Sequence, residues 1–168
     1  QHLVDILAGF SGTMLTDGYS AYSAYVRRCN DIEHAQCWTH ARREFVRAEK
    51  AEPDAVNQAY DLIGALYNVE ADIRNHKLSA EHKRQYRQTH ATSAVDAFFA
   101  WCKQQCQRMD LVPSDPLSKA LKYAMRREPA LRVYLNNPDV AIDTNHLERT
   151  LRVIPMGRKS WLFCWTEV

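Results

Sequence analysis

Glycine is nearly absent from the long middle of this chain. Of its 5 glycines, Gly9, Gly12, Gly18 and Gly64 lie early and Gly157 stands alone near the end. Glycine lets a backbone reverse in tight hairpins, so a span without it from Gly64 to Gly157 argues for helices rather than a meander of strands. The apolar spacing agrees. From Pro53 onward, Val56, Tyr60, Ile63 and Tyr67 recur at steps of four, three and four, with Leu62, Leu66, Val69 and Ile73 as a second stripe beside them. That pattern predicts one long helix with a broad apolar face and a proline in its first turn.

After the polar stretch "NHKLSAEHKRQYRQTHATS", Val95, Phe98, Phe99, Cys102, Cys106 and Met109 repeat the spacing and predict another helix. Ser114 or Asp115 is placed to cap a third, which begins at Pro116 and carries Leu117, Leu121 and Met125. A short fourth, "ALRVYLN", ends at the turn signal Asn136-Asn137-Pro138. The span from about 37 to 137 reads as an antiparallel helical array.

The flanks read differently. "HLVDIL" is a helical start, Thr13 to Thr16 is a short extended run closed by Asp17-Gly18, and "VAID" and "WLFCW" are further candidate strands. A helix is expected between them, from about Thr144 to Val153. The fold class is therefore α/β, mostly helical by residue count, with few short strands at the two ends.

At 168 residues the chain has the size of one domain that buries a core without staples. Lys and Arg number 22 against 20 acids, and a formal charge of +2 pulls only weakly on polyanions. Any nucleic-acid surface has to come from local clusters such as Arg27-Arg28, Arg42-Arg43, Arg126-Arg127 and Arg158-Lys159. Five cysteines, an odd set with no signal-peptide pattern ahead of them, imply reduced thiols in a cytoplasm rather than a disulfide framework. No apolar run is long enough for a membrane helix. A first residue of glutamine suggests a piece of something longer.

Three short segments carry chemistry. Asp17 follows a strand and precedes a glycine turn, where a scaffold holds a carboxylate while leaving it accessible to a metal. A plain Asp-Gly turn explains it equally. Glu148 lies early in its helix, with Asp143 or Thr144 as N-cap and Arg149 and Arg152 a helical step apart, so a phosphate beside Glu148 would meet cations. A capped surface helix with local ion pairs is the alternative. In "CWTHARREF" a helix puts Cys37 and His40 on one face; with Cys29 and His34 they allow a zinc site, although a buried thiol with a hydrogen-bonded imidazole explains the pair as well.

In order, "GTMLTDGYSAY", "CWTHARREF", "LIGALYNVE", "DPLSKALKYAM" and "AIDTNHLERTLRVIPMGRKSWLFCWTEV" resemble the transposases of the insertion sequence sixty-six family, over nearly the whole chain. The resemblance implies a DDE transposase with a ribonuclease-H-like fold. In such enzymes three acids hold two divalent ions, Mg²⁺ or Mn²⁺, that drive cleavage and transfer of DNA strands. It maps the second acid onto Asp17 and the third onto Glu148, makes both metal ligands, and places Cys37, His40 and Asn145 in support. Arg42, Arg43, Arg149, Arg152, Arg158 and Lys159 are then expected to hold DNA.

The same resemblance divides the chain into core (1–36), a helical region and insertion (37–137), and a return to the core (138–168). It places the first acid before residue 1, so the isolated chain is expected to be inactive. Thr144 and Ser160 depart from the family pattern, each standing where asparagine is usual. Partners implied are transposon-end and target DNA, a second copy of the chain and no membrane, in a bacterial cytoplasm. The competing readings are a non-catalytic helical module for DNA binding or self-association, and a zinc protein built on Cys29, His34, Cys37 and His40.

Overall fold

Pro53 starts the longest element, and what that element buries organises the molecule. The structure is a computed structural model and describes residues 2–152. In chain order its elements are α1 (His2–Ile6), β1 (Gly12–Thr16), α2 (Ser20–Val26), β2 (Ile32–Gln36), α3 (Trp38–Val46) and α4 (Pro53–Asn75). Then come α5 (Ala80–Tyr86), a π-helical turn (Arg87–Ala91), α6 (Thr92–Gln105), α7 (Pro116–Met125), α8 (Glu128–Asn136) and α9 (Asn145–Leu151). The expected strand "WLFCW" and the residues Arg158 and Lys159 lie outside the described residues.

In α4 the buried stripe is Val56, Ala59, Ile63, Leu66 and Ile73, while Tyr60, Leu62, Tyr67 and Val69 flank it half-buried. The two expected stripes are therefore the rim and centre of one face, and α4 packs against α6. That helix contributes Val95, Phe98, Phe99, Trp101 and Cys102. Phe98 sits edge-on to Trp38 at 5.2 Å, to Phe45 at 5.9 Å and to Phe99 at 5.1 Å between ring centroids, the geometry that aromatic quadrupoles favour. Trp38 is fully buried and satisfies its indole N–H by donating to the Leu131 carbonyl at 2.9 Å. This knot joins α3, α6 and α8 at the start of α3.

Three findings differ from the expectation. Helix resumes inside the polar stretch: Ser79 caps α5, and a π turn splices α5 onto α6. The extra residue of that turn rotates Arg87 inward. Met109, expected on the apolar stripe, lies beyond the helix end and is fully exposed. "VAID" forms no strand; only the Ile142 carbonyl bonds β2's neighbour Trp38, at N–O 3.0 Å.

Strands β1 and β2 pair in parallel with Gly12 opposite Ile32 and Thr16 opposite Gln36, joined by the α2 crossover. The observed architecture is mostly helix with a two-stranded parallel sheet. Because the pairing is parallel, both strands end on the same edge and release Asp17 and Cys37 side by side.

Candidate active site

The Cys37 amide donates to the Thr16 carbonyl at 3.1 Å, extending the ladder one step past both strands. Asp17 is the next residue after Thr16, so its backbone is fixed to the head of α3. Its side chain is exposed, and Oδ1 accepts the Tyr19 amide at 2.9 Å. The loop behind it is clamped from the helical region. Tyr123 donates its hydroxyl to the Asp17 carbonyl at 3.3 Å, and Arg127, stacked 3.7 Å over the Tyr123 ring, donates to the Gly18 carbonyl at 3.1 Å. Gly18 has φ +88°, and a Cβ there would run into the Tyr123 hydroxyl. Only glycine suits both demands.

Cys37 is buried beneath the same edge. Its Sγ accepts from the Thr144 amide at 3.3 Å and the Thr144 hydroxyl at 3.4 Å. The hydroxyl also lies 3.1 Å from Glu148 Oε1, one helical turn onward in α9. Arg43 donates to the other oxygen of Glu148 at 3.0 Å, and His40 Nε2 stands 3.7 Å from Oε1. Arg43, Thr144 and the positive surroundings hold the Glu148 carboxyl below the usual range, against the opposing effect of partial burial, so it is ionised near neutrality.

Asp143 forms a second carboxylate centre that the sequence suggested only as an N-cap. Its Oδ2 accepts from Thr39 at 3.2 Å, Tyr67 at 3.0 Å and the Asn145 side chain at 2.7 Å, and its Oδ1 accepts the Asn145 amide. Burial, with Asp143 beside it, pushes the Tyr67 phenol well above its ordinary value, which keeps it a donor. With its lone pairs so engaged, Asp143 positions the loop into α9. The sequence signal was available in "CWTH", where Thr39 precedes Arg43 by one helical turn, but its partners are about a hundred residues away.

Cys37, His40, Arg43, Asn145 and Glu148 thus come together, with Asp17 on the adjoining strand end and making no direct bond to Glu148. The other residues expected to touch DNA scatter. Arg42 lies 4.2 Å over the Tyr60 ring, and Arg149 and Arg152 are exposed on and after α9. The zinc set does not assemble: His34 bonds Thr16 at 2.8 Å, Cys29 bonds the Tyr25 carbonyl, and Cys37 is engaged by Thr144. Among the described residues no group of three or more His, Cys, Asp and Glu side chains gathers as a metal cage. Asp17 and Glu148 offer carboxylate oxygens, the donor type that Mg²⁺ or Mn²⁺ takes in preference to the sulfur and nitrogen of a zinc site.

Comparison with known proteins bears on the whole of this arrangement. A family model described as "Transposase IS66 family" matches residues 1–168. The uncharacterized protein y4jD of Sinorhizobium fredii is 28% identical over 164 residues, covering 94% of this chain and 31% of its own length. The uncharacterized protein y4qI of the same organism is 29% identical over 168 residues, covering 96% of this chain and 30% of its own length. The chain therefore spans about a third of the length of the curated relatives it matches. No solved structure matches it.

Proposed function

Because the chain belongs to the IS66 family of transposases, we propose that it is part of the catalytic domain of a DNA strand-cleaving and strand-transferring enzyme, with Asp17 and Glu148 as two of its metal-holding acids. The observation that carries this reading is the tether from Thr16 through Cys37 and Thr144 to Glu148. Residues separated by over a hundred positions are fixed to one edge of the sheet, where a ribonuclease-H-like core gathers its acids. In this reading the parallel pair β1–β2 belongs to that core, and the helices from α4 to α8 form an insertion.

Divalent ions held by Asp17 and Glu148 would supply charge neutralisation at the attacked phosphodiester. The chain's own residues do the rest. Arg43 keeps Glu148 ionised and oriented, Thr144 fixes its other oxygen, and the Tyr123–Arg127 clamp holds the Asp17 backbone. Arg42, Arg43, Arg149 and Arg152 would hold flanking phosphates. Since the chain covers about a third of its relatives, the complete reaction is proposed for the whole protein, and the isolated chain is expected not to cut DNA. No helix among the described residues is long and apolar enough to cross a membrane; a cytoplasmic site of action belongs to the proposal.

The test is calorimetric titration of Mg²⁺ into the chain and into its Asp17→Ala, Glu148→Ala double variant. The reading requires binding that the double variant loses. Equal heats from both proteins would remove the metal-site reading and leave a helical module that binds DNA without chemistry.

A further inference from the structure

Beside Asp143 the molecule opens a groove of about 710 Å³ between the end of α4, α5, and α9 with the segment entering it. Its walls carry Arg74, Lys77, Lys83, His146 and Arg149. The acids in the same walls are already engaged: Glu70 is paired with Arg87, and Asp143 accepts from Thr39, Tyr67 and Asn145. Arg74, Lys77 and Arg149 are exposed and form no ion pair among the described residues. The groove's five Lys and Arg side chains, Arg87 among them, outnumber its two acids, so it is net positive.

A second observation is conformational. Lys77 has φ +49°, closing α4 with the paired bonds Lys77 N to Arg74 O at 3.1 Å and Leu78 N to Ile73 O at 3.2 Å. That left-handed position ordinarily goes to glycine. The helix-closing bonds fix Lys77 there, exposed at the groove and without a carboxylate partner among the described residues. Beside it Lys83 is half-buried and donates to the Pro138 carbonyl at 2.6 Å; burial and the neighbouring Arg87 guanidinium lower its pKa.

We infer that this groove seats the sugar-phosphate backbone of one DNA strand, with Arg74, Lys77 and Arg149 as phosphate contacts. The inference rests on the transposase reading and extends it to a surface formed by the insertion helices. A groove of this volume has room for a few linked phosphate-sugar units of a single strand. Asp143 and Asn145 line it, so a strand lying in it runs beside the entry to α9, the helix that carries Glu148. The contacts are to backbone, hence independent of base sequence.

The experiment is fluorescence anisotropy of a labelled short single-stranded DNA titrated with the chain, with Arg74→Gln/Lys77→Asn, and with a distant control, Lys50→Gln/Lys103→Gln. Asparagine tolerates the left-handed position, and thermal melts check that both variants fold. The groove variant is expected to bind about tenfold or more weakly. Its log affinity against log salt should flatten by roughly 1.4, from about 0.7 for each of two lost phosphate contacts on a single strand. The control should match the wild type. If the groove variant binds like the wild type while Arg43→Gln weakens binding, the groove is overturned and the transposase reading stands. If the wild-type chain fails to bind DNA at low salt, the groove falls with the DNA-contact part of that reading, and Mg²⁺ titration judges the carboxylate site separately.

Discussion

The thiol of Cys37 accepts two hydrogen bonds from Thr144, one from its amide and one from its hydroxyl, across 107 positions of sequence. Both residues are buried, and each adjoins one of the proposed metal-holding acids: Cys37 ends the sheet edge that carries Asp17, and Thr144 opens the helix that carries Glu148. Cys37→Ala would leave the buried Thr144 amide without an acceptor while the hydroxyl keeps Glu148 Oε1, at a cost of about 1–3 kcal/mol in urea unfolding. Cys37→Ser, which restores an oxygen acceptor, should recover part of that loss.

Arg87 and Glu70 form a bidentate pair at 2.7 and 2.9 Å with both residues buried, and Arg87 Nη1 also donates to the carbonyls of Tyr134, Asn137 and Val140. Glu70→Gln leaves a buried guanidinium without its counter-charge and should destabilise the chain by about 3–5 kcal/mol in denaturant unfolding. An apolar replacement of both, Glu70→Leu with Arg87→Met, should recover only part of this. The carbonyls of Tyr134, Asn137 and Val140 would then lose the Arg87 donor, and the loop toward Asp143 depends on them.

Gly18→Ala should lower the melting temperature by several degrees, since a left-handed alanine costs about 1–3 kcal/mol and a domain of this size shifts by about 2–4 °C per kcal/mol. The added methyl also presses on the Tyr123 hydroxyl. Divalent-ion affinity at Asp17 should fall with it, and differential scanning calorimetry with and without Mn²⁺ separates the two effects.

His34 titrates below its ordinary 6.5, chiefly because it is buried and secondarily because Arg127 is near. With the folded value depressed, the unfolded chain takes up a proton first as pH falls. Stability is complete above about pH 6.5 and declines as pH drops from there toward the folded value. His34→Gln should flatten the pH dependence of urea midpoints below pH 6.5 and change little above pH 7. An unchanged slope would mean that other groups control the acid side.

Periodicity made α4, α6, α7 and α8 legible, because an apolar face is written locally at helical spacing. Asp17 and Glu148 were also visible as acids at element ends. The sequence hid what depends on distant partners. "VAID" has a strand's composition but receives one hydrogen bond from Trp38, and only the folded chain shows Asp143 collecting donors from Thr39 and Tyr67. Arg87 sits in a run of polar residues that looks solvated, and the π turn that buries it has no signature in local composition. Its wrapping by three carbonyls of α8 and the following turn is a tertiary event.

The central claim is that Asp17 and Glu148 act as one carboxylate site. Its most direct test is Mn²⁺ affinity, measured calorimetrically for the wild type, Asp17→Ala, Glu148→Ala and the double variant, as a thermodynamic cycle. Groups that share a ligand are non-additive, so each single replacement should weaken binding nearly as much as both together. Losses that simply add, or affinities that none of the replacements change, would contradict a shared site.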